Sequence, residues 1–100
     1  MHTIQIKVID EVRSLNAAHL IPALSRELHA EGVSIYDNAP LTLKIKSTVD
    51  NDHEKVLIQL RESDTKHKLN EKVIPLLRDS YLNDIAKEAH SLLMTSSVPA

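Results

Sequence analysis

Two runs of strict alternation, one from Leu41 to Lys46 and one from Val56 to Arg61, constrain this chain more than any other feature. In the first, Leu41, Leu43 and Ile45 alternate with Thr42, Lys44 and Lys46. In the second, Val56, Ile58 and Leu60 alternate with Leu57, Gln59 and Arg61. A strand sends successive side chains to opposite faces, so two such runs around an Asp/Asn-rich cluster predict a β-hairpin with one wholly aliphatic face. A two-residue turn at Asp50-Asn51 sets Leu41 opposite Leu60, Leu43 opposite Ile58 and Ile45 opposite Val56. Because no glycine fills that turn, a four-residue loop through His53, which shifts the pairing by two, is the competing arrangement. The other face carries Thr42, Lys44, Lys46, Lys55, Gln59 and Arg61, with Leu57 its only clearly apolar member, and is expected to meet water or a charged partner.

The remaining elements follow from the same periodicities. Residues 2–9 alternate, with Ile4, Ile6 and Val8 on one side, and read as a first strand. From Ser14 to Glu31 the spacing becomes helical: Leu15, Ala17, Leu20, Ile21, Leu24 and Leu28 recur at helical intervals, all but Leu15 within about 100° of arc. Ser14 or Asn16 can cap the start, and Gly32, the single glycine, is placed to end the helix in the left-handed conformation. Pro22 falls inside this pattern, away from the stripe, and predicts one bent helix or a helix that begins about one turn before it. Val33 to Tyr36 reads as a short strand closed by Asp37-Asn38-Ala39-Pro40, and residues 61–70 read as a polar, basic loop with room for a helical turn. A second helix is predicted from Pro75 to Met94, with Tyr81, Leu82, Ile85, Ala89, Leu92 and Leu93 on one side. The predicted fold class is therefore α+β: β-α-β-β-β-α, a four-stranded mixed or antiparallel sheet with two helices packed on one face. Residues 1–94 form a single domain and residues 95–100 a fraying tail.

Composition removes several classes of chemistry. Without cysteine there is no disulfide, thiolate metal site or thiol nucleophile, and one glycine excludes the glycine-rich phosphate-binding loops. The six histidines include no pair at i,i+2 or i,i+4, so strand-borne or helix-borne metal pairs are missing. Asp50-Asn51-Asp52-His53-Glu54 opens like a calcium loop, but Lys55 stands where such a loop needs glycine and Arg61 where it needs its closing Glu. No metal, cofactor or catalytic residue is assigned. Tyr36 and Tyr81 are the only aromatic residues, so the core must be aliphatic and base stacking has little to work with. The N-terminal run alternates and reaches charge early, and no apolar stretch approaches the roughly 18 residues of a membrane span. A cytoplasmic protein with no membrane association is the expectation.

Function is read from surface left over after the core is filled. Leu69, Val73, Leu76 and Leu77, taken as helical, form a stripe rotated away from the Tyr81–Leu93 stripe, and Leu57 points out of the sheet. Leu57, Leu69, Val73 and Leu76 are the candidate partner or dimer surface of a small non-enzymatic protein–protein interaction or regulatory module, a homodimer. The alternative is RNA or another polyanion held on a basic open sheet face by Lys7, Lys44, Lys46, Lys55 and Arg61, which strand parity gathers despite a net charge of -2. In the four predicted strands no acid joins those cations.

Overall fold

The computed structural model describes residues 2–10, 16–76 and 80–95. They form strands β1 (His2–Asp10), β2 (Val33–Ile35), β3 (Leu41–Asp50), β4 (His53–Glu62) and β5 (Lys68–Pro75) with helices α1 (Ala17–Ala30) and α2 (Tyr81–Thr95). The architecture is α+β, but the mixed sheet has five strands rather than four, in the order β2-β1-β3-β4-β5. β1 is parallel to both β2 and β3, and β3-β4-β5 is an antiparallel meander.

The aliphatic faces do what alternation demands. Ile4, Leu41, Leu43, Ile45, Val56, Ile58 and Leu60 from the sheet are buried with Leu20, Leu24 and Leu28 of α1 and Ile85, Ala89, Leu92 and Leu93 of α2. Both helices therefore lie on one face of the sheet. Of the residues on the predicted apolar stripes, Ile6, Val8, Tyr81 and Leu82 are only partly buried and Ile21 is exposed. Among the described residues one polar side chain, Ser47, is fully buried, and its hydroxyl donates to Asp10 Oδ1 at 2.8 Å. Asp10 Oδ2 also accepts from the Asn16 backbone N–H at 3.3 Å, so one carboxylate ties the end of β1 to β3 and to the entry of α1.

The hairpin register differs from the Asp50-Asn51 expectation by two residues: Leu43 pairs with Leu60, Ile45 with Ile58 and Ser47 with Val56. The turn is Asn51-Asp52, at φ 51° and 65°, because a tight hairpin turn needs two left-handed residues and Asn and Asp tolerate that region best. A shift of two keeps every side chain on its face, so the same residues point to the core with different cross-strand neighbours.

α1 begins at Ala17, a little over one turn before Pro22. Asn16 occupies the cap position with φ 49° and no side-chain cap; its carbonyl accepts from the N–H of His19 and Leu20. Ser14 and Leu15 lie outside the described residues. Gly32, at φ 87°, ends the helix.

Residues 68–75 are a strand, not a loop leading into a helix, and α2 starts at Tyr81 rather than Pro75. As an edge strand β5 buries one side chain, Ile74, so its polar sequence lacks the alternation that marked the others. Pro75 ends it, where an edge tolerates a missing N–H. Leu69, Val73 and Leu76 therefore form no helical stripe, and Leu77 lies outside the described residues.

Two predictions test this packing in urea or thermal unfolding. Leu43→Ala and Ile58→Ala should each destabilise the fold by about 2–5 kcal/mol, since both side chains are fully buried. Gly32→Ala should lose about 1 kcal/mol through backbone conformation alone, because an added Cβ meets nothing within 4 Å.

Candidate functional site

The sheet face opposite the helices is uncovered by any helix, and cross-strand pairing fixes which residues lie on it. Residues paired across neighbouring strands share a face, which gives four rows. Gln5, Thr42, Arg61 and Lys68 form the first; Lys7, Lys44, Gln59 and Glu71 the second; Ile9, Lys46, Leu57 and Val73 the third; Thr48, Lys55 and Pro75 the last. A register irregularity between Leu60 and Arg61 is what brings Lys68 opposite Arg61.

This arrangement divides the candidate apolar residues. Leu57 and Val73 are direct cross-strand partners on the open face, with Val73 53% exposed. Leu69 and Leu76 instead pack against the core. Ile9, which blurs the end of the first strand in sequence, proves to be a third apolar member of the same row.

The candidate cations Lys7, Lys44, Lys46, Lys55 and Arg61 all lie on the open face, with Lys7 and Lys44 directly paired. Lys68 joins them from β5. The same strand, which is not among the four predicted, brings an acid, Glu71, onto the face. Lys68 Nζ donates to Glu71 Oε1 at 2.8 Å and Gln59 Nε2 to Glu71 Oε2 at 3.3 Å, while Arg61 Nη1 donates to Gln59 Oε1 at 3.4 Å. The Lys68 hydrogen bond, followed by that from Gln59, holds the Glu71 carboxyl below its ordinary value.

One end of the face is closed by two loops. The connection from β2 to β3 crosses β1, and Gln5 Nε2 donates to the Ala39 carbonyl at 3.0 Å. Ser63, in the turn between β4 and β5, donates from Oγ to the same carbonyl at 2.7 Å and from its N–H to the Pro40 carbonyl at 2.9 Å. Its Oγ also meets Gln5 Nε2 at 3.1 Å and Thr42 Oγ1 at 2.8 Å. Beside this network is a depression of about 180 Å³ whose lining includes Lys7, Lys44, Arg61 and Lys66. On the opposite side of the molecule, α1 and α2 flank a groove of about 220 Å³ in which His90 Nε2 lies 3.8 Å from Glu31 Oε2. Among the described residues no three His, Asp or Glu side chains converge as a metal site, and no helix is long and apolar enough to cross a membrane.

No family model matches the chain, and no curated protein matches it. Solved structures do share its fold. TolB from Acinetobacter baumannii superimposes with a TM-score of 0.63 at 13% identity over 99% of this chain, which spans 29% of the TolB chain. A PelC dodecamer from Paraburkholderia phytofirmans gives a TM-score of 0.56 at 14% identity, covering 92% of this chain and 85% of that one. A Xanthomonas campestris protein of the DUF330 family gives 0.56 at 9% identity, covering 94% and 79%. At these identities the likeness establishes the fold.

The Glu71 cluster has a pH signature with a definite sign. A depressed carboxyl contributes stability that is complete above its ordinary value of 4.5 and is lost as pH falls through the lower folded value. Lys68→Ala should raise the Glu71 titration midpoint toward 4.5 in a carboxyl NMR titration. Identical midpoints in both proteins would remove Lys68 as the cause.

Proposed function

We propose that this chain is a small protein–protein interaction module that associates with a second copy of itself through the open face of its sheet. The observation that carries the reading is the row Ile9, Lys46, Leu57 and Val73, which sets three apolar side chains across four adjacent strands on the side the helices leave bare. Partly exposed aliphatic residues gathered in one row gain free energy when a second surface removes them from water, at about 25 cal/mol per Å². Leu57 and Val73 face each other directly, so they form one contiguous patch rather than two scattered contacts. The choice of a second copy as occupant is supported by PelC, which shares this fold and assembles as a dodecamer. The charged rows beside the patch give the interface a polar rim.

The reading is tested by sedimentation equilibrium. The wild-type chain should self-associate, whereas Leu57→Glu and Val73→Glu should be monomers with nearly unchanged melting temperatures, because neither side chain belongs to the core. A wild type that stays monomeric at high concentration overturns the reading.

A second reading, binding of RNA or another extended polyanion, is favoured by the presence of Lys7, Lys44, Lys46, Lys55 and Arg61 on this same face. The apolar row and Glu71 interrupt that cationic surface, so the cations form no unbroken track for a long strand. Titration with mixed RNA and with heparin at low and moderate salt decides it. Equal binding by wild type and a Lys44→Glu, Lys46→Glu double variant, or binding by neither, removes this reading.

A further inference from the structure

The structure assigns to the depression at the closed end of the open face a second role, the binding of a compact oxyanion of the phosphate class. This goes beyond the self-association reading and stands independently of it, since the depression lies among the charged rows and not on the apolar one.

Four cations from four separate segments reach it: Lys7 from β1, Lys44 from β3, Arg61 from β4 and Lys66 from the β4–β5 turn. The one carboxylate in its lining, Glu62, accepts from the Thr65 hydroxyl at 2.9 Å. Lys7 and Lys44 are direct cross-strand partners, a placement in which like charges destabilise a sheet. Protection of sheet edges does not explain it, because the edges here are β2 and β5 while β1 and β3 are interior strands. An anion seated beside the two lysines is attracted by both charges, and a dianionic group more strongly than a monoanionic one.

The turn that supplies Lys66 is also held in an unusual shape. Lys66 has φ 59°, a left-handed conformation that a lysine rarely adopts, and it is fixed by its N–H bond to the Glu62 carbonyl and by the Glu62 N–H bond to the His67 carbonyl, each 2.9 Å. Ser63 anchors the same turn through the Ala39 and Pro40 carbonyls, so the position of Lys66 beside the face is preset. Beneath it the polar floor is already satisfied. Ser63 Oγ donates to Ala39, both amide hydrogens of Gln5 are taken, and Thr42 is left to donate to Ser63. Recognition therefore falls to the four cations. Arg61 can present its fork to two oxygens at once while the lysines act as point charges. The depression, at about 180 Å³, is large enough to admit a phosphate-sized group.

The test is a backbone amide NMR titration of the full chain with inorganic phosphate in one arm and glycerol phosphate in the other, at constant ionic strength. Saturable shifts are expected at Ser63 through Lys66, weaker at higher salt. Arg61→Gln and Lys66→Gln should each weaken binding about tenfold, the loss expected when one charge-assisted contact is removed. Lys55→Gln, two rows away, should leave it unchanged. Tighter binding of the ester supports a phosphoryl group carried on a larger molecule, and tighter binding of inorganic phosphate supports the free ion. Non-saturating shifts in both arms, or equal weakening by Lys55→Gln, would overturn the assignment as diffuse attraction to surface cations. Thermal melts show whether each variant keeps the wild-type fold, and the Lys66 variant, at an exposed turn, keeps the test open if the Arg61 variant does not.

Discussion

The burial of alternate side chains on β3 is the interaction on which the other parts depend. Leu41, Leu43 and Ile45 lie between Ile4 of β1 and Ile58 and Leu60 of β4, beneath α1 and α2, in a core with no Phe or Trp. Aliphatic side chains without large rings fill such a layer only by close interdigitation, so register matters more than any single residue. Ser47 continues the same side of β3, where its bond to Asp10 allows a polar group to be buried and links strand register to the start of α1.

Two helices cover one face of a five-stranded sheet, and this leaves the other face to be explained. Its rows are not uniform. Charge gathers toward the end closed by the Ala39 and Ser63 network, while Ile9, Leu57 and Val73 form an apolar strip farther along. Lys46 stands between Ile9 and Leu57 in that strip, while Leu57 and Val73 are direct neighbours. The proposed self-association is centred on the strip and the proposed anion binding on the closed end of the same surface. Each rests on its own residues, and either can stand without the other.

β5 shows how tertiary structure changes the meaning of a sequence. Lys68 to Pro75 buries only Ile74, and Leu69, Val73 and Leu76 fit helical spacing as well as they fit anything. Once the segment pairs with β4, Leu57 and Val73 become one patch, Leu69 and Leu76 turn to the core, and Glu71 enters a face otherwise rich in cations. The signal within reach was Pro75 after a run of mixed charge and β-branched residues, a composition suited to a sheet edge.

Alternation at 2–9, 41–46 and 56–61 and the helical stripe through Leu20, Leu24 and Leu28 were enough to determine which faces are buried, because burial of apolar area acts on periodicity alone. The same parity placed Lys7, Lys44, Lys46, Lys55 and Arg61 together. Hairpin register was left open by two residues, since a shift of two preserves every face and only the left-handed geometry of Asn51 and Asp52 selects among the pairings. The fifth strand, the apolar row and the cationic depression were decided by the tertiary structure. Each depends on contacts between residues distant in the chain, Ser63 with Ala39 or Val73 with Leu57, and such pairings leave no periodic trace in either segment by itself.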